Sequence, residues 1–391
     1  MSRYQSYLNT ATTILDQYNG AIPFAEFIKD FFSRDKKYGS TDRKQISHLC
    51  YCYFRLGKSF PDTAVPERIL IALLLCSDQP NKLLEFLKPE WNEAVGLPPD
   101  EKYKLLHIQY PALDVFPWKQ ELSDGIEDRP FEESFFIQPD LFLRLRPGKE
   151  NRVREKLSAA GIGFRECAPD CLALPNGSKI ETVVELNKDA IVQDLNSQRI
   201  GDFLRSIPQR TNPSVWDCCA ASGGKSIMAV DTLGDINLTV SDIRESIIAN
   251  LKKRFQAAGI KNYKSYVADL SHARSAILSA AINSFDIVIA DVPCTGSGTW
   301  GRTPEQLYYF EERKIDEYAG KQNKIVANVI PTLKPGGHLL YSTCSVFRKE
   351  NEDQVSSLRH EFGLQVVEQQ LLKGYSKKAD TLFAALMKKP L

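Results

Sequence analysis

Two of the nine cysteines stand in surroundings that suit chemistry better than packing. Cys294 lies in Asp291-Val292-Pro293-Cys294-Thr295-Gly296-Ser297-Gly298-Thr299, directly after the apolar run 287–290. Cys344 lies in Tyr341-Ser342-Thr343-Cys344-Ser345, just past the run 337–341. A lone cysteine is most often a small buried hydrophobe, and Cys50, Cys52, Cys76 and Cys218 fit that reading. Cys294 and Cys344 are flanked instead by turn and hydroxyl residues, where a thiolate would be available as a nucleophile. The histidine nearest in sequence, His338, falls at the opposite end of its run from Cys344. Cys167 and Cys171 lack a second pair of ligands, so no metal is expected.

Acids close four apolar stretches in turn: Asp217, Asp242, Asp269 and Asp291. After the first, Cys219-Ala220-Ala221-Ser222-Gly223-Gly224-Lys225 makes a turn of small residues. In an open α/β sheet the first such turn meets a nucleotide-like ligand, and an acid ending the second strand can accept hydrogen bonds from both ribose hydroxyls. An acid ending the third can reach an adenine amino group. Taken singly, each acid also reads as a solvated strand end or a helix cap, and the turn as an ordinary tight connection. GxGxxG is absent, which disfavours a dinucleotide, and a GxxxxGK[ST] phosphate loop is missed because Cys219 stands where its first glycine belongs. Four acids in series around a glycine turn fit S-adenosylmethionine, an adenosine without phosphates that carries a cationic sulfonium. The turn residues 219–225 with Asp242, Asp269 and Asp291 are the candidate cofactor site.

Such residues need a scaffold that brings strand ends together. From about residue 193, strand-like runs at 214–219, 239–241, 265–268, 287–290 and 337–341 alternate with helical stretches such as 246–258 and 317–330. That order predicts an α/β fold, a doubly wound and mostly parallel sheet over 201–391. Before it, strand-like 141–146, a basic helix over 153–160 and short strands at 171–174 and 183–184 predict a small α+β unit over 134–200. Residues 1–130 show apolar positions at three- and four-residue spacing and read as an all-helical domain. Ser40-Thr41-Asp42 caps one of its helices. The acidic stretch 124–133, with Gly125 and Pro130, reads as a linker.

Composition narrows the partners. Fifty Lys+Arg against 49 Asp+Glu over 391 residues exclude a histone-like binder with a wholly basic chain, though not a local basic groove. The strip Arg144, Arg146, Lys149, Arg152, Arg154 and Lys156 offers phosphate contacts, or else a solvated face partly neutralised by Glu150 and Glu155. At 43% hydrophobic and 25% charged the chain is too apolar for disorder. It shows neither a signal-like start nor an apolar run long enough to span a membrane. An odd number of cysteines argues against a disulfide framework. A soluble, cytoplasmic monomer with no membrane partner is expected.

The motifs, in their order, resemble those of one family. Cys219-Ala220-Ala221-Ser222-Gly223-Gly224-Lys225, Asp291-Val292-Pro293-Cys294 and Ser342-Thr343-Cys344-Ser345, followed by Glu350-Asn351-Glu352, resemble the Fmu/Sun family of RNA cytosine-5 methyltransferases from about residue 193 to Phe383. The resemblance implies a class I S-adenosylmethionine-dependent domain acting on RNA, ribosomal (16S) RNA foremost and transfer RNA as the alternative. The unit around 141–146 resembles the RNA-binding module that precedes this domain. Lys36-Lys37-Tyr38-Gly39-Ser40-Thr41-Asp42-Arg43 is similar to the NusB-like domain of ribosomal RNA members. By the same resemblance Cys344 is the nucleophile that adds to cytosine C6, Cys294 assists product release, and Asp291 contacts the cytosine ring. Arg302, in Trp300-Gly301-Arg302-Thr303-Pro304, resembles an arginine that faces RNA, and joins Arg144, Arg146 and Arg152 as RNA-binding candidates. Lys225 either lowers the nucleophile's pKa or contacts a phosphate or the methionine carboxylate. Ser222 and Ser226 depart from the family's Pro and Thr. Asp380-Thr381-Leu382-Phe383 departs from its Asp-Gly-Phe-Phe, which bears on the last strand. Two rivals stand beside this reading. An exocyclic-amine methyltransferase would carry Asn/Asp-Pro-Pro-Tyr/Phe after the fourth strand, where this chain has Asp291-Val292-Pro293-Cys294. A non-catalytic RNA-binding assembly factor would not need both cysteines and all four acids.

Overall fold

Apolar residues at helical spacing fold the first third of the chain into helices. A computed structural model describes residues 2–35, 37–108, 113–272 and 276–391. Helices α1 (Arg3–Gln17), α2 (Phe24–Arg34), α3 (Ser40–Arg55), α4 (Val65–Cys76), α5 (Lys82–Leu87), α6 (Pro89–Glu93), α7 (Pro99–Leu105) and α8 (Asp128–Ser134) belong to one compact unit, formed by Met1–Gln120, Glu127–Gln138 and Trp300–Glu311. In the first turn of α3, Asp42 accepts the Gly39 N–H at 2.8 Å, satisfying a donor that helix geometry leaves free. Lys36 of the basic motif lies outside the described residues.

Two expectations change here. The stretch read as a linker contains α8, because Phe131 is buried and Glu132, also buried, pairs with Lys119 at 2.9 Å. The segment 300–311, expected within the catalytic domain, belongs to the helical unit. There Trp300 is fully buried against Phe116 and Trp118, and Arg55 donates to the Gly301 carbonyl at 2.9 Å. Arg302 lies on this segment, half-buried.

The second unit comprises Glu121–Ile126, Pro139–Thr299 and Glu312–Leu391. Its first sheet joins β1 (Leu141–Leu145), β2 (Arg165–Ala168), β3 (Cys171–Leu174) and β4 (Ala190–Val192) antiparallel in the order β2-β3-β1-β4. Leu143 and Leu145 pack on Val153 and Leu157 of α9 (Glu150–Ala159). Val183 and Val184 are not a strand. Both of their N–H groups bond to the Ile180 carbonyl, at 3.0 and 2.8 Å, which leaves neither for a ladder. The fourth strand forms six residues later, at β4.

The main sheet follows the alternating pattern. After α10 (Leu195–Arg205) come β5 (Ser214–Asp217), α11 (Gly224–Leu233), β6 (Asn237–Asp242), α12 (Glu245–Ala258), β7 (Tyr263–Val267), α13 (Ala276–Ala280) and β8 (Phe285–Asp291). The chain continues through α14 (Pro304–Tyr309), which lies in the helical unit, α15 (Arg313–Val329), β9 (Leu333–Thr343), α16 (Glu352–Phe362), β10 (Gln365–Leu372) and β11 (Leu382–Lys388). The order is β10-β11-β9-β8-β5-β6-β7, parallel except for β11, which runs antiparallel to both neighbours. Successive side chains alternate between two cores, as the pleat requires. Val215, Val240, Ile289 and Leu340 meet α10, α11 and α12, whereas Trp216, Val288, Leu339 and Tyr341 meet α15 and α16. β11 forms despite its altered sequence, with Phe383 buried and paired to Thr343.

The expected basic strip is a correction. Arg144 is 5% exposed and pairs with Asp231 of α11 at 2.7 Å and with Gln193 at 2.8 Å. Arg146 also binds Asp231, at 2.8 Å, and donates to the Ala258 carbonyl. Strand alternation causes this: Leu143 and Leu145 face α9, so Arg144 and Arg146 face the catalytic domain. Arg152 is half-exposed but pairs with Glu185 at 2.7 Å. Arg144 and Arg146 therefore fasten the small sheet to the large one and are not available to RNA. Removing one partner of a buried pair leaves a poorly compensated charge, so Arg144→Ala should cost on the order of 3 kcal/mol in urea unfolding. Arg152→Ala should cost less than about 1 kcal/mol. Unchanged stability of Arg144→Ala, together with weakened RNA binding, would restore the strip as an RNA surface.

Candidate active site

Strand order reverses between β5 and β8, and in open α/β sheets ligands bind at the carboxyl ends beside such a switch point. Asp217, Asp242 and Asp291 end β5, β6 and β8, and Asp269 lies two residues beyond β7. A cavity of about 360 Å³ opens at this edge, lined by Cys219, Ala221, Asp242, Ile243, Arg244, Asp269, Leu270, Asp291, Pro293, Tyr318 and Lys321, among others. A larger recess of about 790 Å³ lies at the other ends of the strands, around Ser214, Asn237, Tyr263 and Phe285. It lies away from every candidate residue, which makes the smaller cavity the candidate ligand site.

The turn after β5 contributes unevenly. Gly223 is left-handed (φ +83°), and a Cβ there would come within 2.7 Å of the Phe255 ring, so the turn needs glycine on both counts. Of the residues 219–225, Cys219 and Ala221 line the cavity, while Ala220 packs into the core. Ser222 accepts two hydrogen bonds from Arg254, at 2.9 Å on its carbonyl and 2.6 Å on its hydroxyl, which braces the turn where the resembling family has proline. Asp217 is buried beneath the turn and takes the Ser226 hydroxyl at 2.6 Å, and Ser226 fills the family's threonine position. Burial pushes the Asp217 carboxyl up to about 7.

Asp242 accepts the Ala221 N–H at 3.2 Å and the Arg244 N–H at 3.0 Å, which fixes its carboxylate at the cavity wall. Asp269 is held by the Ser271 N–H and hydroxyl, at 2.9 and 2.6 Å, and by His272, and the Ser271 bonds keep it below the usual carboxylate range. The donor set suits adenosine with a cationic group: a fixed carboxylate for the diol, apolar Ile243 and Leu270 for the ring, acids nearby, and no glycine-rich phosphate cradle.

The two cysteines meet. β8 and β9 are parallel neighbours with Asp291 opposite Ser342, so the loops that follow them start side by side. The Cys294 and Cys344 sulfurs lie 3.2 Å apart. Gly298 N–H donates to the Cys344 carbonyl at 2.9 Å, and a Cβ on Gly298 would sit 1.9 Å from the Thr381 carbonyl oxygen, just before β11, and 3.0 Å from that of Cys344, so glycine is needed for this loop to pack on both. Asp291 accepts Lys225 Nζ at 2.6 Å and the Ser342 hydroxyl at 2.8 Å. Burial works to lower the Lys225 pKa, but the Asp291 carboxylate, and then the Cys344 side chain, outweigh it and keep the lysine charged. The contact with Cys344, then burial, raise the Cys294 thiol well above its usual value.

Sequence reasoning missed Arg244, Tyr318 and Lys321 on the cavity wall and Ser342 on Asp291. Tyr318, Lys321 and Ile325 are spaced three and four residues apart on α15, a signal that one helical face meets the site. Among the described residues, no group of three metal-ligating side chains occurs and no helix is long and apolar enough to cross a membrane.

The mostly parallel seven-stranded sheet with flanking helices is the class I methyltransferase fold. Residues 206–381 match the family model "16S rRNA methyltransferase RsmB/F". The chain is 30% identical over 269 residues to a probable ribosomal RNA small subunit methyltransferase B of a Synechocystis species, covering 66% of this chain and 58% of that one. It is 25% identical over 282 residues to the protein of the same name from Bacillus subtilis, covering 71% of this chain and 56% of the relative. The chain thus matches a little over half the length of these relatives. A methyltransferase homologue from Pyrococcus horikoshii shares the fold at a TM-score of 0.57 and 22% identity, over 75% of this chain and all of that one. NSun6 from Pyrococcus horikoshii, solved with SFG, has a TM-score of 0.55 at 15% identity, over 64% of this chain and 91% of its own.

Two outcomes test the site. Asp242→Ala should weaken S-adenosylmethionine binding at least tenfold by calorimetry with the fold intact, and an unchanged Kd would remove Asp242 from the ribose. Burial makes the folded Asp217 hold its proton more tightly than the unfolded chain does, so its contribution to stability falls as pH rises from its unfolded value near 4 to about 7. Asp217→Asn should flatten that part of the stability–pH curve, by up to about 4 kcal/mol, and parallel curves would contradict the assignment.

Proposed function

We propose that this chain methylates C5 of cytosine in RNA, ribosomal (16S) RNA foremost, using S-adenosylmethionine and a transient bond between Cys344 and cytosine C6. The observation that carries the reading is the contact of two thiols, 3.2 Å apart, at the ligand edge of a methyltransferase sheet. Cytosine C5 is a poor nucleophile, and addition of a thiolate at C6 turns the ring into an enamine whose C5 is electron-rich. C5 and C6 are bonded neighbours, so residues acting on them must come from loops that converge as these do.

S-adenosylmethionine, when bound, supplies the electrophilic methyl group. Asp242 and the wall around it hold the adenosine, with Asp269 toward the adenine. The charged Lys225 holds Asp291 in place at 2.6 Å. Asp291, positioned by Lys225 and Ser342, contacts the cytosine ring nitrogen or amino group. Cys294, held protonated, does not compete as nucleophile and assists the elimination that frees Cys344 once the C5 proton has left. The base must come from a single-stranded loop or be flipped from a helix. The names of the relatives support a ribosomal substrate, and the SFG in the NSun6 homologue, an S-adenosylmethionine analogue, supports the cofactor. The enzyme so described works in the cytoplasm, and its helical unit and Arg302 contact RNA.

Cys344→Ala should abolish methyl transfer and any covalent RNA adduct. Cys294→Ala should accumulate a protein–RNA complex that survives denaturing gels. The reverse pattern would exchange the roles, and full turnover in both variants would exclude covalent catalysis. Bisulfite sequencing of ribosomal and transfer RNA from a deletion strain should show loss of a 5-methylcytosine in small-subunit RNA; a loss in transfer RNA alone would move the substrate there.

A further inference from the structure

The Glu350 side chain is fully buried and joins the two loops that carry the thiols. From the Cys294 loop, Thr295 donates its N–H at 2.9 Å and its hydroxyl at 2.5 Å to this carboxylate. From the Cys344 loop, Ser345 donates its hydroxyl at 2.5 Å. Gln322 of α15 adds its amide at 2.8 Å, and its other amide hydrogen bonds the Pro293 carbonyl. The residues that donate therefore include the immediate neighbour of each cysteine, Thr295 after Cys294 and Ser345 after Cys344. The surrounding backbone is secured separately. Tyr341 donates to the Glu350 carbonyl at 2.6 Å, and Asn351 links the Thr343 hydroxyl to the Ser345 carbonyl.

A carboxylate is costly to bury and is retained only when its lone pairs are filled. Glu350 fills them with donors from both loops and from the helix behind, while touching neither sulfur. The two oxygens divide the work: Oε2 takes the Thr295 N–H and the Gln322 amide, and Oε1 takes the Thr295 and Ser345 hydroxyls. A glutamine could meet the same partners, since the hydroxyls can also accept, whereas truncation to alanine leaves all four without their shared partner and should open the junction.

We propose that Glu350 is a positioning residue that clamps the loops after β8 and β9 together and so sets the spacing of Cys294 and Cys344, a role that rests on the covalent reading of these two cysteines. The spacing can be read without methyl transfer. Diamide, an azo oxidant, takes one hydrogen from each of two thiols as the S–S bond forms, and is itself reduced to the hydrazine. In the full-length protein the Cys294–Cys344 disulfide, mapped by mass spectrometry, should form rapidly in wild type. It should form at least tenfold more slowly in Glu350→Ala and in Ser345→Ala, with the double variant no slower than Glu350→Ala alone. In the same variants kcat should fall at least tenfold, with KM for RNA changed less than twofold. A wild-type cross-linking rate in folded Glu350→Ala would overturn the proposal whatever happens to kcat. If Glu350→Ala does not fold, Ser345→Ala decides by the same criterion. Slowed cross-linking in a protein that never methylates cytosine would leave the clamp standing and remove the proposed reaction.

Discussion

Contact between two thiols from neighbouring parallel strands is the constraint around which the ligand edge is built. Parallel pairing of β8 with β9 starts both loops at the same level, since Asp291 lies opposite Ser342. From there the loops must turn toward each other. That convergence needs a glycine at 298, where a side chain would strike the Thr381 carbonyl, and a polar junction with a buried carboxylate at its centre. Polar groups this deeply buried are tolerated only when their partners are in place, so the junction is rigid for the same reason that it is costly.

Charge is divided across the site with similar economy. Lys225 sits between Asp291 and Cys344 in its electrostatics, bonded to the first and influenced by the second. The two sulfurs are chemically alike but not equivalently placed: the Cys294 thiol is held protonated by its neighbour and by burial. On the cofactor side, Asp242 is fixed by backbone N–H groups of the adjoining turns, so the wall is preorganised before any ligand arrives.

The central strands were legible in the sequence because they are buried on both faces and read as apolar runs, as in 287–291, whereas the edge strand β10 is largely exposed and carries no such run. The motif loops were legible because turns at strand ends need small or hydroxyl residues. What stayed hidden depends on contacts distant in the chain. Arg144 and Arg146 look like a basic surface until Asp231, more than eighty residues away, is found beneath them. The Val183-Val184 pair has strand composition but spends its N–H groups on a local turn. Glu350 was visible as part of a motif, yet nothing in its spacing shows that it joins both cysteine loops. The segment 300–311 lies between strands of the catalytic domain in the chain and folds with the helical unit because Trp300 finds an aromatic core there.

The roles assigned to the two sulfurs are tested most directly by trapping the enzyme on RNA that contains 5-fluorocytidine, since fluorine cannot leave C5 as a cation and the adduct cannot be eliminated. After digestion, mass spectrometry should find the nucleotide attached to the peptide bearing Cys344, and the Cys294 peptide unmodified. Attachment at Cys294, or complete methylation of unsubstituted RNA by an enzyme that forms no adduct at all, would contradict the assignment.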